Sequence, residues 1–168
     1  MPRVESTRLS PRHWFFACLC ALAFLLPAMA AAQAPGLSAA DRADIQAFTI
    51  NNDVFQRLST VMTQARAMHV KRSPLDMSKV HSLADMAQQM VASDPRIKPL
   101  LAKYGFTPRQ FLVANMAVVG TTITLDHFAG TPQEKAVEGQ LNPANVAFYK
   151  AHKAQMDALL HSAATSAK

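Results

Sequence analysis

Apolar residues recur at steps of three and four along residues 54–68, and this spacing constrains the fold more than any other feature of the chain. It is the period of an α-helix that buries one face and leaves polar residues on the other. Asn51 or Asn52 supplies a helix cap, and the proline within residues 71–74 ends the segment, because the residue before a proline disfavours helix. The buried face is predicted to comprise Val54, Phe55, Leu58, Val61, Met62, Ala65 and Met68.

Three dipeptides place a capping side chain directly before a proline. The capping oxygen accepts a hydrogen bond from the first helical turn, and proline suits that turn because its φ is already helical. Ser38 and Ser78 predict two other helix starts, and Gly105 suits the left-handed conformation that often ends a helix. The three dipeptides are Asp94-Pro95, Thr107-Pro108 and Asn142-Pro143.

Residues 118–124 are the one stretch that argues for a strand, because β-branched residues surround Gly120 there. No second strand-like run exists to pair with this stretch, so the sequence favours a helix from Pro108 to about Phe128. Small residues at helical spacing would let a neighbouring helix approach it closely. These residues are Ala114, Ala117, Gly120 or Thr121, and Thr124.

These signals predict an all-α fold, a helical bundle of four longer helices plus two short ones. The bundle is expected to span residues 38–163 as one domain. Residues 129–141 contain Gly and Pro and are expected to form a loop, and residues 164–168 are expected to fray.

Residues 1–34 have the three parts of an export signal. Three arginines give a positive start, and the uncharged run of residues 14–26 is shorter than the roughly 20 residues that a membrane span needs. The small residues that follow predict cleavage after Ala32, or alternatively after Ala34. We therefore expect a periplasmic or secreted protein with a flexible leader at residues 33–37 and no membrane span after cleavage.

Cleavage after Ala32 removes residues 1–32 as the signal peptide, and with them Cys18 and Cys20, the two cysteines of the chain. A mature chain without thiols has no disulfide, no thiolate catalysis, no iron–sulfur ligation and no covalent haem attachment. Cleavage also lowers the net charge of +6 by two, and the remaining Lys and Arg residues are scattered. Nucleic-acid binding requires a dense basic stripe, so no nucleic-acid partner is predicted.

Histidine and methionine occur together at a spacing of four in two places, Met77 with His81 and His152 with Met156. An imidazole and a thioether can hold copper or haem iron, so both pairs are candidate metal sites. His152 also falls on an apolar stripe with Tyr149 and Met156, which makes these three residues a candidate ligand-binding site. Methionines at helical spacing usually fill cores, however, and no cofactor is predicted.

A hydrolase of unknown type is the remaining chemical alternative, with Asp126-His127 as its candidate acid–base pair. Adjacency in sequence does not by itself set up a proton relay. Glu134 and Glu138 are four residues apart but fall in the predicted loop. The sequence contains no nucleophile elbow, phosphate loop or dinucleotide fingerprint, so catalysis is not favoured.

Two helix starts, GFTPRQF at residues 105–111 and LNPANVAFY at residues 141–149, carry a family resemblance. They resemble the GLTPREY-like and NPANVAF-like turns of an uncharacterised family of small exported bacterial α-helical proteins. The resemblance covers about residues 45–160. It implies a helical protein of the Gram-negative envelope, and it supplies no catalytic residue.

The leading functional hypothesis is therefore a soluble binding protein of the bacterial envelope. Its partner is expected to be another envelope protein or a small apolar ligand, because the sequence combines an export signal and methionine-rich faces with no catalytic motif. A His/Met bundle that binds copper or haem, and the hydrolase, are the alternatives.

Overall fold

Seven α-helices and one short 3-10 helix make up most of a computed structural model, which describes residues 37–71 and 73–165, with side chains as far as His161. The predicted all-α fold is confirmed, since no strand occurs among these residues. The predicted signal at residues 1–32 and the leader, apart from Leu37, lie outside them. The helices are α1 (Ala39–Ala47), α2 (Asn52–Ala67), a 3-10 helix (Met77–Lys79), α3 (Leu83–Ser93), α4 (Ile97–Lys103), α5 (Pro108–Phe128), α6 (Glu134–Glu138) and α7 (Pro143–Thr165).

Three predicted helix caps are confirmed. The Ser38 hydroxyl accepts the Asp41 N–H at 3.0 Å, and the Asn51 side chain accepts the Val54 N–H at 2.9 Å. Thr107 starts α5 with a reciprocal pair of bonds, in which its hydroxyl accepts the Gln110 N–H and the Gln110 side chain accepts the Thr107 N–H. Each bond satisfies an N–H group that has no partner within its helix.

The predicted helix start at Ser78 is wrong. The cap of α3 is Ser82, four residues later, and the helix begins at Leu83. Ser82 accepts the Asp85 N–H at 3.2 Å, and Asp85 accepts the His81 N–H at 3.0 Å, so the two residues complete a cap. Ser78 lies in the separate 3-10 helix that Asp76 caps.

The Asp94-Pro95 start is displaced in a similar way, since α4 begins at Ile97 without a side-chain cap. Residues 129–141 also differ from the predicted loop, because they contain the one-turn helix α6. Glu134 accepts the Gly130 N–H at 2.8 Å, and Glu138 pairs with Lys150 at 2.7 Å. The two glutamates are therefore occupied with holding this turn in place.

The central helix is α5, which contacts each of the other six α-helices. It is helical throughout residues 118–124, so the helical interpretation of that stretch is confirmed. Among the described helices it alone is long and apolar enough to cross a membrane by length and composition, and its enclosure by the others accounts for that composition. Ala114, Ala117 and Thr121 are buried, as predicted for the small-residue ridge, whereas Gly120 is exposed.

Two clusters of buried side chains form the core. The larger joins α2, α4, α5 and α7, and the smaller packs Val80 and α3 against Leu112 and Val113 of α5. The buried face of α2 ends one turn earlier than predicted, because Met68 follows the last helical residue and is 36% exposed.

Candidate functional site

An apolar cavity of about 350 Å³ lies inside the bundle. This volume is at the lower end of the range of about 300–1,000 Å³ found for small-molecule sites. Five helices and the segment after α2 contribute its walls. The apolar lining residues are Val61, Met62, Ala65, Val70, Leu75, Met86, Met90, Ile97, Leu100, Leu101, Phe111, Leu112, Val119, Leu159 and Leu160.

Small and flexible side chains on the surrounding helices line the cavity. Small Ala65 and unbranched Met62 lie on the inner side of α2, and α3 faces them with Met86 and Met90. Methionine is flexible and adapts to irregular space, so this wall can reshape around a guest more readily than one of branched side chains. Phe111 of α5 supplies the one aromatic ring among the lining residues that the structure describes.

The mouth segment, residues 68–71 and 73–75, leaves α2 through a fixed turn. His69 has φ +48, in the left-handed region. Its N–H bonds to the Arg66 carbonyl at 2.8 Å, and the next N–H, of Val70, bonds to the Ala65 carbonyl at 2.9 Å. This pair of bonds is the Schellman arrangement that ends many helices, and it turns Val70 inward against the core.

An ion pair between α3 and α4 holds the same segment from the other side. Arg96 binds both carboxylate oxygens of Asp94, at 2.6 and 2.9 Å, and donates to the Met68 carbonyl at 2.8 Å and the His69 carbonyl at 3.2 Å. Asp94 in turn accepts the Lys71 N–H at 3.0 Å. The hydrogen bonds from Arg96 and Lys71 hold the pKa of Asp94 well below its usual range.

Four polar residues interrupt the apolar lining in the part of the chain that the structure describes: Lys71, Ser73, Ser93 and Asn115. Ser93 and Lys71 are adjacent, since the Ser93 hydroxyl lies 3.4 Å from the Lys71 carbonyl while donating to the Met90 carbonyl at 2.7 Å. Asn115 lies on α5, between Phe111 and Val119 on the face of the helix that lines the cavity. Neither Asp nor Glu is among the lining residues that the structure describes.

The ligand-binding residues predicted from sequence lie outside this cavity. Met156 is fully buried in the core, and Tyr149 is buried against Asp126. His152 stacks on Phe148 with ring centres 4.3 Å apart, and its Nδ1 lies 2.8 Å from the Gln155 side chain. The backbone of α7 is kinked at His152, which precedes Met156 by four residues.

Met77 and His81, the second histidine–methionine pair, do not lie on one α-helix. Met77 lies in the 3-10 helix, 53% exposed, and His81 lies beyond its end. Within the described ranges, no three His, Cys, Asp or Glu residues are grouped as a metal ion would need.

Asp126 belongs to an ion-pair network rather than to a relay with His127. Tyr149 and Lys153 both donate to the Asp126 carboxylate, and Lys153 also bonds to Asp157 at 2.9 Å. His127 is exposed, and its ring packs edge-on against Phe128. The acid–base pair of the hydrolase hypothesis is therefore not assembled by these two neighbours.

The contacts in this network shift the pKa values of Asp126, Tyr149 and Lys153. Burial opposes ionisation of Asp126, but the bonds from Lys153 and Tyr149 outweigh it and lower the pKa of the carboxyl. Burial, then the bond to Asp126, raises the pKa of Tyr149, and the bond to Asp126 raises the pKa of Lys153. Groups held this firmly in one form are poorly suited to transfer protons near neutral pH.

Only weak sequence signals mark the residues that line the cavity. The methionines are recognisable as core residues, and Asn115 stands out as a polar residue within the apolar run at residues 111–119. Lys71 has no distinguishing signal, because its position depends on contacts with Asp94 and Ser93, more than twenty residues away.

Comparisons of the chain with protein-family models, with curated proteins and with solved structures found no match.

Proposed function

We propose that this protein is an exported carrier or sensor that binds a small apolar molecule in the cavity between α2, α3, α4, α5 and α7. The observation that carries the proposal is the cavity itself, about 350 Å³ of space with almost entirely apolar walls. Apolar cavities exclude water and accept apolar guests, because the guest restores contacts that the empty walls lack.

The setting in the envelope rests on the sequence. The positively charged start, the uncharged run at residues 14–26 and the small residues after it support export. The resemblance of residues 105–111 and 141–149 to helix starts of exported bacterial proteins supports the same location. N-terminal sequencing of the accumulated protein tests this part, and an intact Met1 would contradict it.

A fluorescence titration tests binding. The full chain is expressed in a bacterial host, and the form that accumulates is purified and titrated with N-phenyl-1-naphthylamine, a neutral probe that brightens in apolar surroundings. Straight-chain alcohols of increasing length then displace the probe. Each CH₂ group that enters the cavity should tighten binding about fourfold, corresponding to about 0.8 kcal/mol, until the cavity is full.

Variants of α2 show whether the probe occupies this cavity. Ala65→Phe places a ring in the space and should weaken probe binding by about tenfold or more. Ala67→Phe adds the same ring at an exposed position two residues away, and should bind as the unchanged protein does. Ala65→Leu serves as a milder filling variant, because overpacking can cost about 1–3 kcal/mol of stability. The proposal is refuted if the probe shows no saturable binding, or if it binds all the variants with the same affinity.

A further inference from the structure

The polar groups of the cavity wall define the kind of ligand it suits. Lys71, Ser73 and Ser93 come from the mouth segment and the adjoining end of α3, and Lys71 is the one charged residue in the described lining. Resting on the proposed function, we infer that the ligand is a single-chain amphiphile with an anionic group, which lies beside Lys71 while its chain fills the cavity.

The charge at the mouth is not balanced by a neighbouring carboxylate. In the part of the chain that the structure describes, the Lys71 ammonium group forms no ion pair. The nearest aspartate by contact, Asp94, binds the Lys71 backbone N–H and is itself matched by Arg96. Asp76, directly after the mouth segment, pairs with Lys79 at 2.9 Å. An anion therefore meets an uncompensated positive charge here, whereas a cation meets repulsion.

The position of Lys71 is fixed before any ligand binds. Its N–H is bonded to Asp94, and Arg96 holds the carbonyls of Met68 and His69, three and two residues earlier. The backbone that carries the Lys71 side chain therefore needs no reordering on binding, which lowers the entropic cost of recognition.

Lys71 is exposed, which suits an amphiphile rather than a fully buried ion. The charged head of such a ligand stays in contact with water, so it avoids the large cost of burying an ion, while the chain supplies the affinity. Ion pairs at exposed positions are weak because water screens them, so the charge should set selectivity rather than the bulk of the binding energy.

Three ligands that share a ten-carbon chain test the inference: decanoate, decan-1-ol and decylammonium, each displacing the neutral probe at pH 7.5. On the unchanged protein, decanoate should bind about three- to tenfold more tightly than decylammonium at low salt. High salt should narrow this difference, because it screens exposed charges.

Charge reversal supplies the matched variants. Lys71→Glu should abolish or invert the preference for decanoate over decylammonium, with both affinities expressed relative to that of decan-1-ol for the same variant. Lys98→Glu makes the same change at an exposed residue of α4 that does not line the cavity, and should keep the preference.

The outcomes separate the inference from the function on which it rests. If none of the three compounds displaces the probe, the proposed function fails. If all three bind alike, or if Lys71→Glu keeps the preference for decanoate, the cavity binds apolar chains and the assignment of an anionic head at Lys71 is overturned.

Discussion

The side-chain amide of Asn145 forms hydrogen bonds with the backbone around Ile50, 95 residues earlier in the chain, as a backbone peptide group would. Its carbonyl oxygen accepts the Ile50 N–H at 2.7 Å, and its amide group donates to the Phe48 carbonyl at 2.8 Å. Asn145 and Ile50 are both buried, so the bond between them forms out of contact with water. They fasten the connection between α1 and α2 to the first turn of α7.

Replacing Asn145 should therefore be costly. In Asn145→Ala the buried Ile50 N–H loses its partner, and the free energy of unfolding should fall by about 2–3 kcal/mol. Asn142→Ala is the matched control, because Asn142 is only half-buried and donates to the same connection at 3.3 Å. It should cost about 1 kcal/mol, chiefly as a lost helix cap. Urea denaturation measures both, and equal losses would contradict the central role of Asn145.

Acid should weaken the ion pair between Asp94 and Arg96. A carboxyl whose pKa is lower in the folded than in the unfolded protein stabilises the fold at pH values above its ordinary pKa, and this stabilisation is lost as the pH falls through the folded value. The stability difference between the unchanged protein and Asp94→Asn should thus be largest near pH 7 and shrink below about pH 4. Urea denaturation between pH 7 and pH 3 measures it.

Asp53→Asn is the control for that series. Asp53 forms an exposed pair with Arg57, one helical turn away, so its loss should cost no more than about 0.5 kcal/mol. If the stability difference between the unchanged protein and Asp94→Asn stays constant with pH, the stabilisation by Asp94 does not depend on its charge.

Gly120 lies within α5 without a packing reason to be glycine. A Cβ added there meets no atom within 4 Å. Gly120→Ala should raise the free energy of unfolding by about 0.8–1 kcal/mol, because alanine loses less backbone entropy in a helix. Gly130→Ala, at φ +72, should instead destabilise the protein. Thermal unfolding compares the two, and a loss of stability in Gly120→Ala would indicate a contact on this face.

His69 presents the opposite case, a side chain where glycine fits better. Its φ of +48 strains a residue that has a Cβ, so His69→Gly should gain about 0.5–1 kcal/mol. His69→Ala retains the Cβ and should show no gain. If both variants lose stability equally in urea denaturation, the imidazole makes a contribution that outweighs the backbone strain.

The helices were largely predictable because their signals are local. The spacing of apolar residues in α2 and the caps at Ser38, Asn51 and Thr107 act within one or two turns, and each is found in the structure. The start of α3 was missed because Ser78 and Ser82 are both competent caps, and only Ser82 has an acidic partner three residues later, at Asp85.

The sequence by itself determined the all-α fold, because periodicity and capping are properties of neighbouring residues. Tertiary structure alone decided which residues meet. Asp94 reaches back to Lys71, Asn145 reaches back to Ile50, and the cavity exists because α2 and α3 place methionines and Ala65 where larger side chains would close it. Contacts across 20 to 95 residues depend on how helices pack, and no local pattern encodes the space left between them.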